Sequence, residues 1–92
     1  MEQAKAAQVA RNGEWMTASV DDETVMMSVS DGRIVGVNAI GARIWDLIEQ
    51  PREIGWLREA LIAEFDVSSE QCAAELDLFL ADLAKRGAIV RQ

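Results

Sequence analysis

The chain has 92 residues, half of them apolar, with one cysteine, no histidine and a formal net charge of −7. That length holds one domain with a single core of modest stability, and the lack of imidazole removes Ser-His-Asp triads, Cys-His pairs and His-based metal sites, so a non-enzyme without a cofactor is expected. The negative charge opposes nonspecific binding to nucleic acid and to anionic membranes, whose affinity comes from Lys and Arg, and no apolar run approaches the roughly 20 residues of a membrane span.

The single Cys72 excludes an internal disulfide. The first ten residues lack the continuous apolar stretch of a secretory signal, which leaves the cytoplasm as the expected compartment. Residues 1–13 carry no sustained period and end at Asn12-Gly13, which reads as a flexible N-terminal arm before a domain over residues 14–92. Strands are expected over residues 15–20 and 24–29, joined by Asp21-Asp22-Glu23. In the second, Val25, Met27 and Val29 alternate with Thr24, Met26 and Ser28, and the first set is expected to face the core. Ser30-Asp31-Gly32 supplies turn chemistry, with Gly32 free to take positive φ, before a third strand at 33–37. No further strand pattern follows until the extreme C-terminus, so this third strand is expected at a sheet edge. Unpaired N–H and C=O groups on such an edge can accept an added peptide strand.

From Ala39 the period changes from two to about 3.6. Asn38 is placed to cap a first helix whose Ile40, Ile44, Leu47 and Ile48 share one face and which must stop before Pro51. Gly41 within it costs about 1 kcal/mol against alanine, a cost that close packing on the strand would explain. A second helix over residues 54–65 aligns Ile54, Leu57, Leu61 and Phe65. Ser68-Ser69-Glu70-Gln71 fits a capping box that opens a third helix. Its apolar stripe is Cys72, Leu76, Phe79, Leu80 and Leu83, and Gly87 ends it. Trp45 and Trp56 read as core or core-rim aromatics, Cys72 as a small buried apolar residue, and Leu78 falls off the stripe.

Three strands followed by three helices give an α+β domain of winged helix-turn-helix kind, with a three-stranded antiparallel sheet. One alternative function is a winged-helix DNA-binding regulator. Charge argues against it, because Glu70, Glu75, Asp77 and Asp82 precede the only basic residues of the third helix region, Lys85 and Arg86, whereas major-groove readers present Arg, Lys, Asn or Gln near the helix start. A purely structural or dimerisation module is a further alternative, kept open by Leu78.

The segment Gly32…Val37-Asn38-Ala39-Ile40-Gly41-Ala42-Arg43-Ile44-Trp45, with Pro51-Arg52, Leu57, Phe65-Asp66-Val67 and Phe79-Leu80…Leu83…Arg86-Gly87, resembles the PqqD-like family of peptide chaperones. The resemblance spans about residues 15–91. It implies a RiPP recognition element, which binds the leader of a ribosomally made precursor peptide and delivers it to a modifying enzyme such as a leader peptidase or a radical enzyme. It further implies that the leader adds as a strand along Ile34, Val35, Gly36 and Val37 and lies beside a third-helix flank of Ala73, Leu76, Asp77, Leu80 and Ala84. Asp77 would pair with a leader Lys or Arg. The chain is more similar to stand-alone leader-binding proteins of lasso-peptide pathways than to those of pyrroloquinoline quinone assembly, which stands as the alternative pathway. Two positions depart from the family pattern: Val37, where Leu is common, and Glu53, where Thr or Ser often caps the second helix.

Overall fold

The computed structural model describes residues 8–21 and 23–91. The chain runs through strands β1 (Gln8–Arg11), β2 (Trp15–Val20), β3 (Glu23–Ser28) and β4 (Ile34–Val37), then helix α1 (Ala39–Leu47) and strand β5 (Arg52–Glu53). Helices α2 (Ile54–Glu64) and α3 (Ser69–Lys85) and strand β6 (Ile89–Arg91) complete it. Two antiparallel three-stranded sheets result, one ordered β2-β3-β4 and the other β5-β1-β6.

The first sheet is the expected meander, and its turns follow from local chemistry. Asp21 takes φ 56° where β2 turns into β3, a left-handed conformation that Asp tolerates better than most residues. Between β3 and β4, Gly32 takes φ 73° and donates from its amide to Ser28 at 2.8 Å, while Asp31 accepts from the Arg33 amide at 3.1 Å. The Arg33 amide, and after it the nearby Ser28 hydroxyl, hold the Asp31 carboxyl below its ordinary pKa. This brace is therefore present above the ordinary carboxyl pKa and is lost as pH falls through the lowered one.

The face of β3 differs from the one expected. Met26 is fully buried and Ser28 nearly so, whereas Met27 and Val29 are exposed. Helix α1 packs on β3 and β4, and the register sets Met26 opposite the buried Val35. The face carrying Val25, Met27 and Val29 thus turns away from the helices although it is the more apolar by composition.

The second sheet was not legible as strands. Residues 8–11, expected in a loose arm, form its central strand, with Val9 fully buried. Asn12 continues the attachment, donating from its backbone to Ala88 at 2.8 Å and from its side chain to Gly87 at 3.0 Å. Arg11 stacks its guanidinium 4.3 Å from the centroid of the Trp45 ring and donates to the Trp45 carbonyl. A four-residue strand whose partners lie about 40 and 80 positions away leaves no periodic signal of its own. The rest of the expected arm, residues 1–7, lies outside the described residues.

The helix ends follow the sequence closely. Asn38 Oδ1 accepts from the Gly41 amide at 2.8 Å, and Ser68 Oγ from Gln71 at 3.0 Å. The capping box is half formed, because the Gln71 side chain turns forward to Glu75 at 3.0 Å. Glu53 precedes α2 without a side-chain cap, consistent with the departure noted at that position. Helix α3 closes in a Schellman arrangement: Gly87 at φ 78° donates to Ala84 at 3.0 Å, and Ala88 donates to Leu83 at 2.8 Å. Leu57 and Leu61 of α2 interlock with Cys72, Leu76, Leu80 and Leu83 of α3 and with Ile44, Trp45 and Ile48 in one core. Among the described residues no helix is long and apolar enough to cross a membrane.

Deleting residues 1–13 is expected to lower stability by at least about 2 kcal/mol, since burial of Val9 alone contributes that order. Urea denaturation of the full and shortened chains checks it; equal midpoints would mean that β1 does not belong to the cooperative unit.

Candidate functional site

Strand β4 lies at the edge of its sheet, with β3 on one side and no strand on the other among the described residues. Which of its backbone groups are free follows from the register. Ser28 donates to the Arg33 carbonyl at 2.8 Å, and Met26 stands opposite Val35. Hydrogen-bonded pairs alternate along an antiparallel ladder, so Arg33, Val35 and Val37 turn their backbone groups inward to β3. Ile34 and Gly36 turn theirs outward. The ladder between β2 and β3 agrees, because Val29 donates to Glu14 at 3.0 Å and the odd-numbered residues of β3 thereby bond to β2.

Side chains alternate in the same rhythm. Val35 is buried and Val37 half-buried toward α1, while Ile34 is 65% exposed on the opposite face and Gly36 leaves the edge unobstructed. All four residues expected to meet a peptide are therefore on the edge strand, but in two roles. Ile34 and Gly36 hold the free hydrogen-bonding groups, and Val35 and Val37 fix the strand to the core.

Beside the end of β4 lies a groove of about 480 Å³ lined by Asn38, Ile40, Gly41 and Ile44 on one wall and by Glu75, Leu78, Phe79 and Asp82 of α3 on the other. A second hollow of about 340 Å³, lined by Glu23, Thr24, Gly36, Val37 and Asn38, runs along the edge itself. Asn38 borders both. Its side chain holds the first turn of α1 in place, so the residue that ends the strand also shapes the junction of the two hollows.

Gly41 explains how closely the two walls approach. A Cβ at this position would lie 2.8 Å from Cε1 of Phe79, so the glycine admits the Phe79 ring against α1 rather than serving contact with the strand. Phe79 is half-buried and Leu78 is 73% exposed at the groove rim.

The α3 residues that line this groove are not those of the flank that the family resemblance implies for the leader. Leu76 and Leu80 are 1% and 0% exposed, locked in the core, with Ala73 half-buried and Asp77 and Ala84 exposed beside them. At about 100° per residue, Ala73, Asp77 and Ala84 lie on one side of the buried stripe, and Glu75, Leu78, Phe79 and Asp82 on the other. The groove takes the second set. An amphipathic stripe has two flanks, and periodicity does not say which one faces α1; the Gly41 and off-stripe Leu78 positions were the available signals. Cys72 is buried at the far end of α3, and burial pushes its thiol pKa up, which suits a packing role.

An open sheet edge beside an apolar interhelical groove is the frame of a peptide-accepting α+β domain. The sequence matches the family described as coenzyme PQQ synthesis protein D (PqqD) over residues 23–89, and the chain belongs to that family. Among solved structures it is similar to TbiB1 in complex with the TbiA(beta) leader peptide, at 29% identity and a TM-score of 0.73, covering 87% of this chain and 93% of that one. It also shares the fold of a lasso peptide synthetase B1 complexed with the leader peptide, at 16% identity and a TM-score of 0.73, covering 89% and 96% of the two chains. No curated protein matches this chain.

Two substitutions separate the roles of neighbouring edge residues. Val35→Pro removes an inward donor and is expected to destabilise the fold by about 1–3 kcal/mol or more; Gly36→Pro removes only an outward one and should leave the midpoint within about 1 kcal/mol of wild type. Thermal unfolding followed by circular dichroism reads both, and the reverse ranking would place the register one residue away. Leu80→Ala should cost about 2–5 kcal/mol, as a core truncation does; a cost below about 1 kcal/mol in the same measurement would place Leu80 at the surface.

Proposed function

We propose that this protein binds the leader segment of a ribosomally synthesised precursor peptide as an added strand on β4 and delivers it, covalently unchanged, to the modifying enzymes of a lasso-peptide or related pathway. The observation that carries this reading is the outward pair of backbone groups on Ile34 and Gly36, on an edge strand that leads at Asn38 to the groove between α1 and α3. Main-chain pairing supplies sequence-tolerant affinity, and pockets for alternate side chains supply specificity. Membership of the PqqD family and similarity to a leader-bound structure at 29% identity support the same ligand class.

The leader, on this reading, passes along the edge past Gly36 and Val37, rounds Asn38 and lays an apolar side chain against Phe79 and Leu78. The protein acts by binding. Its partner is a processing enzyme that receives the presented core, such as a leader peptidase. A radical enzyme encoded beside the gene would instead direct the same binding mode to quinone or thioether chemistry. The Asp77 side of α3 lies away from this route, so Asp77→Asn should leave affinity unaltered.

Titration calorimetry with a synthetic leader of the precursor encoded beside this gene tests the reading. Wild type and Gly36→Ala, which keeps the amide donor, should bind alike. Gly36→Pro, which removes it, should bind at least about tenfold more weakly, the equivalent of about 1.4 kcal/mol, while remaining folded. Absence of binding by wild type, or turnover of the peptide by this protein alone, would overturn the proposal.

A further inference from the structure

We infer that the groove selects a leader carrying a Lys or Arg next to its apolar anchor, with Glu75 as the residue that reads the cation; this rests on the strand-addition reading above. The side chains lining the groove and the adjoining edge hollow include three carboxylates, Glu23, Glu75 and Asp82, and no Lys or Arg. The floor is apolar, so a cation bound there keeps its stem against Phe79 and Leu78 while its head reaches the rim, the ordinary way in which Lys and Arg divide themselves between apolar and polar surroundings.

The three acids are not equivalent. Asp82 already accepts from Arg86 Nε at 3.0 Å, which neutralises much of its charge. Glu75 is half-buried and is positioned by a neutral group, the Gln71 amide at 3.0 Å. Its charge is oriented without being compensated by an ion pair among the described residues. Partial burial also reduces the solvent screening that makes fully exposed pairs weak. A precursor bearing an acidic residue at this point would meet repulsion from the uncompensated Glu75, so the residue excludes as well as attracts.

Glu75→Gln removes the charge while keeping an oxygen able to accept from Gln71. The probes are the synthetic leader encoded beside this gene and the same peptide with every Lys and Arg replaced by Gln. Glu75→Gln should bind the native leader about fivefold more weakly than wild type does, and should bind the neutral peptide as wild type does. The wild-type preference for the native peptide should shrink as salt is raised from about 50 to about 500 mM, which shortens the Debye length about threefold. Equal affinity of wild type for both peptides, or an equal loss on both with Glu75→Gln, would overturn this inference while leaving strand addition intact. Failure of wild type to bind either peptide would overturn both.

Discussion

The contact between Gly41 and Phe79 is the constraint on which the site depends. With a Cβ at position 41 the first turn of α1 would collide with the Phe79 ring at 2.8 Å; with glycine, α1 and α3 approach until the ring forms part of the groove wall. Asn38 fixes the same turn from the other side by capping the Gly41 amide. The helix thus accepts a glycine that lowers its own stability by about 1 kcal/mol, because tertiary packing at that point decides where the third helix stands relative to the strand edge. The groove between α1 and α3 is built from a locally unfavourable residue placed where its lack of a side chain matters.

The second sheet secures this frame from behind. Strand β1 bridges the short β5 and the C-terminal β6, and Arg11 ties it to α1 by stacking on Trp45 and bonding to its carbonyl. Arg52 performs a similar service, lying 4.3 Å from the Trp56 centroid and donating to the Leu47 carbonyl at 3.2 Å. Across the helices, Arg43 pairs with Glu64 at 2.9 Å, an exposed contact that orients more than it stabilises. The turn between β3 and β4 is braced by the Arg33–Asp31 pair at 2.9 Å, and Arg33 also reaches the Arg86 carbonyl at 3.4 Å. Both ends of the edge strand are therefore held while its outer backbone groups stay free.

An open edge is ordinarily a hazard, since it templates unwanted strand pairing. Here β4 is only four residues long and its outward groups belong to two of them. The neighbouring acids and the net charge of −7 add repulsion between copies. The edge is thus short and carries charge against self-association, while its outward groups at Ile34 and Gly36 meet no strand among the described residues.

Much of the local structure was legible because it is written in local chemistry. Asn38 and Ser68 as caps, Gly32 in its turn, Gly87 at the helix end, and the 3.6-residue spacing of Cys72, Leu76, Leu80 and Leu83 each specify their own backbone within a few positions. The order of elements then placed the third meander strand at an edge, and the Asn38 to Trp45 segment carried the family resemblance. Tertiary structure decided the rest. Val25, Met27 and Val29 look more like a core face than Met26 between Thr and Ser, yet α1 covers the Met26 side; alternation reveals two faces and cannot say which one a helix will cover. The same ambiguity governs α3, where only the approach of α1 at Gly41 selects the Glu75, Leu78, Phe79 and Asp82 flank over that of Ala73, Asp77 and Ala84. Strand β1 is the extreme case, for its four residues become a strand through partners in the middle of the chain and near its C-terminal end, and pairing at that distance has no signature in the neighbouring sequence.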